Sequence, residues 1–447
     1  MKFVAVGLVS GTAGVLFGYS VAVVAGALIF LTDLFGLDTF GSEVVVTSVL
    51  VGAFIGAMTS GELAARWGER RIMMITCVIF VLAPIGLAMA GSATEVSLWR
   101  GVLGLAVGTV SMVAPMYVAE ASPAARRGAL VSLFQFGVTL GILIAYLVNF
   151  AFTDSGEWRW MFALGCLPGF ILFGALWTLP ESPRWLLLKG RDAEARAAMV
   201  QLHADPAEIE AAQTDPVEEN GRWGELFMAP VGLVLVMAGG LFLFQNLSGI
   251  DGILYYAPQI FLSVGVSAQT GAILATVGLG AVNMLATVGA MFIVDRLGRR
   301  PLLIGGLTVM TLSLAVLGAL LLHPGVSQGE EVVTLVCLAL FVLAFAFSMG
   351  PLPYVLTSEV FPLRVRARGM SLATATSWLL NIVVAMTFLS LLKFAGTGAT
   401  FLVYAGVCLA GLIFSWFMVP ETRGRSLAQI EANLRAGRSV RRLGDAA

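Results

Sequence analysis

VGLVSGTAGVLFGYSVAVVAGALIF, residues 6–30, holds 25 consecutive residues without a charged side chain. At about 1.5 Å rise per residue, a helix of that length exceeds the roughly 30 Å of hydrocarbon in a bilayer. The run reads as a first membrane span rather than a cleavable leader, because no polar break follows a short apolar stretch. Similar runs recur along all 447 residues. The chain is 58% hydrophobic and 12% charged, about half the charge of a soluble globular chain. Backbone polar groups in lipid need partners within their own segment. The expectation is an all-α, multi-pass membrane protein.

Twelve spans are expected, at 3–30, 43–64, 72–90, 97–119, 129–152, 161–179, 230–262, 270–294, 301–322, 332–356, 369–392 and 399–419. One long polar insert, 180–229, separates the sixth from the seventh. Its stretch GRDAEARAAMVQL, with Pro206 and Pro216 as breakers, suggests short amphipathic helices. Fifty residues barely build an enzymatic core. Of the 26 Lys and Arg residues, 23 fall on one side of this map; Arg159 and Lys393 fall on the other, and Arg100 lies inside a span. Positive charge collects on the cytoplasmic side, so both termini and the insert are expected there, in a bacterial inner membrane.

Three cytoplasmic segments recur. Arg66-Trp67-Gly68 pairs with Arg296-Leu297-Gly298 at an offset of 230. Glu120 and Pro123 pair with Glu359 and Pro362 at 239, and Pro180-Glu181 with Pro420-Glu421 at 240. Each follows the same span number in its half. A same-sense repeat of six spans predicts two six-helix bundles, as in carriers that bind substrate near the midplane. The expected organisation is an N-terminal bundle over 1–185, a cytoplasmic helical linker over 186–229, and a C-terminal bundle with a short tail over 230–447.

GELAARWGERR (61–71), VDRLGRR (294–300), PESPRWLL (180–187), GPLPYVLTSEVFP (350–362) and PETRGRSL (420–427) carry a resemblance. The chain resembles the sugar porter family of the major facilitator superfamily along nearly its whole length. The resemblance implies the major facilitator fold and the movement of monosaccharides by alternating access. It implies a cytoplasmic gate built from Glu120, Arg127, Glu181 and Arg184 in the first half, and from Asp295, Arg299, Arg300, Glu359, Arg366 and Glu421 in the second. Exposed pairs contribute only about 0.2–1 kcal/mol each, which suits a gate that must open. Ala65 and Glu69 depart from the family motif, where an Asp and an Arg are usual, and this predicts a weaker first-half latch.

Sugar recognition needs amides for hydroxyls and aromatic faces for C–H surfaces. The spans offer Gln135, Gln245, Asn246, Asn283 and Asn381, with Trp378 and Tyr354 beside them. A lone intramembrane amide is as readily an interhelical hydrogen bond. The resemblance implies sugar contact for Gln135, Gln245, Asn283, Trp378 and Asn381. Asn246 stands where a second Gln is common, Asp251 where an Asn is common, and Tyr354 where a Trp is common. Phe17, Tyr255 and Tyr256 are further candidates to line the cavity. The glycines of FLFQNLSGIDGILYY (242–256) invite a broken helix.

Ser20 is the sharpest departure. In the family's proton symporters an acid at this place pairs with the arginine that matches Arg100. Serine does not titrate usefully, so Arg100 needs water, carbonyls or another acid: Asp33, Asp38, Glu43, Glu95 or Asp251. The expected function is therefore a facilitative uniporter for a hexose or pentose. The alternative is a proton–sugar symporter with a relocated acid such as Asp251, in which the proton is a second substrate. A non-transporting sugar sensor is the third reading. The expected partners are a monosaccharide and membrane lipid, with no nucleic acid and a functional monomer. No cofactor or metal is called for. No nucleophile–base pair or phosphate loop points to an enzyme. Cys77, Cys166, Cys337 and Cys408 lie in spans without CxxC spacing and read as small apolar packing groups.

Overall fold

The computed structural model describes residues 2–122, 127–202, 223–263, 268–322, 328–425 and 427–445, and these form helices and turns without a strand. Twelve helical segments are long and apolar enough to cross a membrane. Spans 1–6 are Val4–Phe35, Thr39–Trp67, Glu69–Met89, Ala93–Ala121, Gly128–Ala151 and Trp158–Trp177. Spans 7–12 are Val231–Tyr255, Gln269–Val294, Arg299–Leu321, Val332–Val360, Arg364–Ala395 and Thr397–Met418. The chain divides into two compact units, Met1–Val217 and Glu218–Ala447. Each unit holds six spans.

Spans 1, 7 and 10 differ most from the sequence expectation, span 10 because its helix is interrupted between Phe347 and Leu352. Span 1 runs on to Phe35, where Gly36 at φ 60° ends it in a left-handed cap. The predicted run 230–262 is three helices: Val231–Leu247, Ile250–Tyr255 and Ala257–Ser263. The first break falls at Gly249, whose φ of 85° is left-handed and strained for any side chain. A Cβ there would also approach the Tyr404 ring to 2.8 Å.

The first unit is held by close helix approach. Span 2 packs most extensively on span 4, and span 1 on span 5. Both contacts use glycines four residues apart: Gly52 and Gly56 against Gly104 and Gly108, and Gly14 and Gly18 against Gly137 and Gly141. A Cβ on Gly108 would lie 1.9 Å from Ala53 O, and one on Gly18 would lie 2.0 Å from Val138 O. Small residues let backbones meet where lipid supplies no hydrophobic drive between helices. In the second unit, span 9 packs on span 12 through Gly318 and Gly398 in the same manner.

Part of the insert is helical. Asp192–Gln201 packs on Pro183–Leu188 through Trp185, Leu186, Ala195 and Ala198. Arg191 donates to Glu194 from Nε at 2.7 Å and Nη2 at 2.6 Å. These bonds hold the Glu194 carboxyl below its usual range and the Arg191 guanidinium above its own. The first compact unit takes in this helix pair. Pro206 and Pro216 lie outside the described residues. Cys77, Cys337 and Cys408 are buried, Cys166 is half-buried, and all four are free thiols.

Gly108→Val would force spans 2 and 4 apart, because overpacking a tight contact costs about 1–3 kcal/mol or more. A lowered thermal midpoint of the purified protein in detergent is expected, with Gly174→Val, where a Cβ meets nothing within 4 Å, as the silent control.

Candidate functional site

Breaks in spans 7 and 10 expose carbonyls that lack helical donors, and side chains meet them. Span 10 leaves the helix after Phe347 and resumes at Leu352; Pro351 and Pro353 supply no N–H. Gln245 Nε2 donates to Met349 O at 2.6 Å and to Gly350 O at 3.1 Å. Asn246 Nδ2 donates to Phe242 O at 2.8 Å and to Ser377 Oγ at 2.9 Å. The donors of both predicted amides are thus engaged by protein.

Past Gly249 the chain places Asp251 and Tyr255 opposite span 11. Tyr255 Oη donates to Asn381 Oδ1 at 3.3 Å, and Asp251 hydrogen-bonds both Asn381 and Tyr255. Tyr354 hydrogen-bonds Ser377 and sits edge-on to Phe242, with centroids 4.8 Å apart. Tyr256 donates to Ala385 O at 2.8 Å and stacks on Phe388, which stacks on Tyr404, at 5.6 Å each. This three-ring column fills the space beside the Gly249 break. Trp378 and Asn283 are buried. The second unit therefore gathers Gln245, Asn246, Asp251, Tyr255, Tyr354 and Asn381 around the break. Sequence reasoning missed Ser377, the hydroxyl that joins Asn246 to Tyr354. Its signal was its place one residue before Trp378.

In the first unit, Phe17 packs edge-on against Phe134 at 6.3 Å, and Gln135 is exposed. Ser20 is buried. Arg100 is fully buried, with Nε donating to Val45 O at 2.8 Å and Nη2 to Val46 O at 3.2 Å. Glu43, one of its candidate partners, is buried two residues before Val45. Asp38 instead caps span 2 by accepting from Gly41 N at 2.7 Å. Glu95 accepts from Gly91 N at 2.8 Å. Asp251 bonds Tyr255 and Asn381, as described.

The repeated motifs make matching contacts within each unit. Gly68 at φ 98° and Gly298 at φ 93° turn the chain between spans 2 and 3 and between spans 8 and 9. Glu181 Oε1 accepts from Arg70 N at 2.7 Å. Glu421 accepts from Arg299 N and Arg300 N, both at 3.1 Å. A carboxylate on a helix start is favoured by free N–H groups and the helix dipole. A Cβ on Gly68 would lie 2.4 Å from Glu181 Oε2, and one on Gly298 2.7 Å from Glu421 Oε2. Arg70 Nε donates to Leu176 O at 2.9 Å, and Arg300 Nη2 to Trp416 O at 2.9 Å. Two hydroxyls that the sequence reading passed over complete the pattern: Ser182 Oγ donates to Glu120, and Thr422 Oγ1 to Glu359 at 2.5 Å. Their shared offset of 240 was the available signal.

The halves then diverge. Arg299 Nη2 meets Glu359 Oε1 at 3.0 Å. At the offset of 230 the first unit has Glu69, buried against Glu120. Its only salt bridge to Glu120 among the described residues comes from the exposed Arg184, at 3.9 Å. Ala65 contributes its carbonyl, which accepts from Trp185 Nε1 at 3.0 Å. Arg366 donates to Phe361 O at 3.2 Å. The side chains of Arg127 and Asp295 lie outside the described residues.

The model of the family described as "Sugar (and other) transporter" matches residues 6–434. The chain belongs to the sugar porter family. It is 38% identical over 440 residues to the galactose-proton symporter of Escherichia coli, covering 97% of this chain and 94% of that one. It is 37% identical over 429 residues to the D-xylose transporter of Levilactobacillus brevis, covering 95% and 94%. The partially occluded inward-open structure of the xylose transporter XylE from E. coli aligns at a TM-score of 0.81. That match is 31% identical and covers 95% of this chain and 99% of that one. This sugar porter is an integral, multi-pass membrane transporter of the major facilitator superfamily, and not an enzyme.

Asn381→Ala removes the amide that hydrogen-bonds both Asp251 and Tyr255. One or two hydrogen bonds at about 1–1.5 kcal/mol each predict a roughly tenfold rise in KM, read by counterflow in proteoliposomes with D-galactose, D-xylose and D-glucose as probes.

Proposed function

We propose that this sugar porter carries its monosaccharide, a hexose or pentose, as a facilitative uniporter working by alternating access. The observation that carries the reading is Ser20, a buried hydroxyl at the place where the family's symporters hold an acid. Arg100, the arginine such an acid would meet, is directed to the carbonyls of Val45 and Val46. Without a titrating partner at position 20, the usual proton switch of the first unit is missing.

The candidate sugar contacts are Gln245, Asn246, Asp251, Tyr255, Asn283, Tyr354, Trp378 and Asn381 in the second unit, with Phe17 and Gln135 in the first. Support comes from the grouping of polar and aromatic side chains around the Gly249 break. An amide whose N–H groups are held by carbonyls, as in Gln245, presents a fixed oxygen to a hydroxyl. The motif residues Glu120, Arg127, Glu181, Arg184, Asp295, Arg299, Arg300, Glu359, Arg366 and Glu421 form the proposed gate. Their concentration of charge, with the Lys and Arg bias, supports placing that end and both termini in the cytoplasm.

Uptake into proteoliposomes tests the reading. Labelled D-galactose, D-xylose or D-glucose should equilibrate down its gradient and stop there. Accumulation above equilibrium under an imposed proton gradient would overturn uniport.

A second reading rests on Asp251, a carboxyl hydrogen-bonded by Tyr255 and Asn381 within the candidate sugar contacts. It supplies an acid beside substrate hydroxyls, and the galactose and arabinose relatives bear the name of proton symporters. Under that reading Asp251→Asn abolishes proton-driven accumulation and leaves sugar exchange intact. Unchanged accumulation in the variant removes Asp251 from the coupling role.

A further inference from the structure

We infer that the Gly68 end of the first unit contains a proton-binding site, a carboxylic acid–carboxylate pair formed by Glu69 and Glu120, where the second unit uses the ion pair of Arg299 and Glu359.

The argument is an allocation of donors. Three carboxyl groups converge at this end: Glu69 at the start of span 3, Glu120 at the end of span 4, and Glu181 after span 6. Glu181 takes the N–H groups of Arg70 and Ser182, at 2.7 Å and 3.1 Å. Glu120 takes the Ser182 hydroxyl and the distant Arg184. Glu69 is 4% exposed, and its Oε2 receives no hydrogen bond from any described group. Its carboxyl is in hydrogen-bonding contact with Glu120. Two ionised carboxylates have only acceptors. A hydrogen bond between them therefore requires one proton, and burying two like charges in contact is strongly unfavourable.

The other groups facing the pair leave this conclusion in place. Arg184, from the helix Pro183–Leu188, is 72% exposed, meets Glu120 at 3.9 Å, and acts on Glu69 as a more distant charge that is outweighed by burial and by the carboxyls of Glu120 and Glu181. Arg70, on Glu69's own helix, spends its guanidinium on the carbonyls of Leu176 and Trp177. Tyr117, from span 4, donates its hydroxyl to Pro180 O at 2.8 Å. Glu181 adds a third negative charge.

The other unit supplies the control. At the position equivalent to Glu69, Arg299 brings its own donors to Glu359 at 3.0 Å. The hydroxyl that serves Glu120 has its counterpart in Thr422. One carboxylate on the helix start and one served by a hydroxyl are common to both ends; only the third group differs. The first unit holds with a proton what the second holds with a guanidinium. Losing that proton to solvent turns the pair into two carboxylates, which loosens the junction of spans 2, 3, 4 and 6. Under the proposed orientation this junction meets cytoplasmic pH.

Infrared difference spectroscopy of the purified full-length protein tests the site without a transported sugar, so its outcome is independent of the uniport reading. Between about pH 6 and about pH 9 the wild type should lose a protonated-carboxyl carbonyl band that shifts in D2O. Glu69→Gln and Glu120→Gln should each lack that band, and Asp251→Asn should keep it. A band of unchanged size in a folded Glu69→Gln protein would overturn the proposal. So would the absence of any such band in the wild type. Glu69→Arg, which reproduces the ion pair of the other unit, should fold and also lack the band. Its thermal midpoint should fall less than the wild type's over the same pH range; an equal fall would count against the pair.

Discussion

Every backbone N–H and C=O within the hydrocarbon needs a partner, and that requirement organises this protein. Unbroken helices meet it internally. At several helix ends and breaks a specific side chain takes over. Gln245 serves the carbonyls of Met349 and Gly350 at the break in span 10. Inside the unbroken span 2, the buried Arg100 adds its donors to the carbonyls of Val45 and Val46. Glu181 and Glu421 serve the free N–H groups that open spans 3 and 9. Leaving such groups unpaired costs several kcal/mol each in a lipid setting. The polar residues of the spans are therefore first of all structural, and the candidate sugar contacts are drawn from the same set.

The duplicated ends show how one scaffold carries two chemistries. Both turns need a glycine near φ 95°, because the carboxylate of Glu181 or Glu421 occupies the space a Cβ would fill. Both units add a hydroxyl to the second carboxylate. Glu69 against Arg299 is the point of divergence, and it follows from one position in each copy. The close helix pairs of spans 1 and 5 and of spans 2 and 4 rest on glycines at a spacing of four.

Much of the site was legible because its residues are chemically out of place. An amide, an acid or an arginine in an apolar run stands out, and so Gln245, Asn246, Asp251, Asn381 and Arg100 could all be named from the sequence. Ser377, Ser182 and Thr422 could not be singled out on chemistry, since a hydroxyl usually bonds locally, to the preceding turn within a helix as at position 377 or to a cap or turn outside one. Only the neighbouring chain shows that these three bridge to Asn246, Glu120 and Glu359. The aromatic column of Tyr256, Phe388 and Tyr404 was hidden for a similar reason. Rings from separate spans carry no pattern in sequence that foretells stacking.

By itself the sequence determined the class of fold, the number of spans, the repeat and the family. Each of these follows from run length, charge or local motif, all properties of neighbouring residues. It also marked Ser20 and Glu69 as departures. The tertiary structure decided what the departures meet. Arg100 bonds carbonyls of span 2, and Glu69 lies in contact with a carboxyl from span 4, 51 residues away along the chain. The reason is physical. A single sequence specifies which groups are present, but the donors each receives depend on helix packing, which brings distant residues within bonding reach.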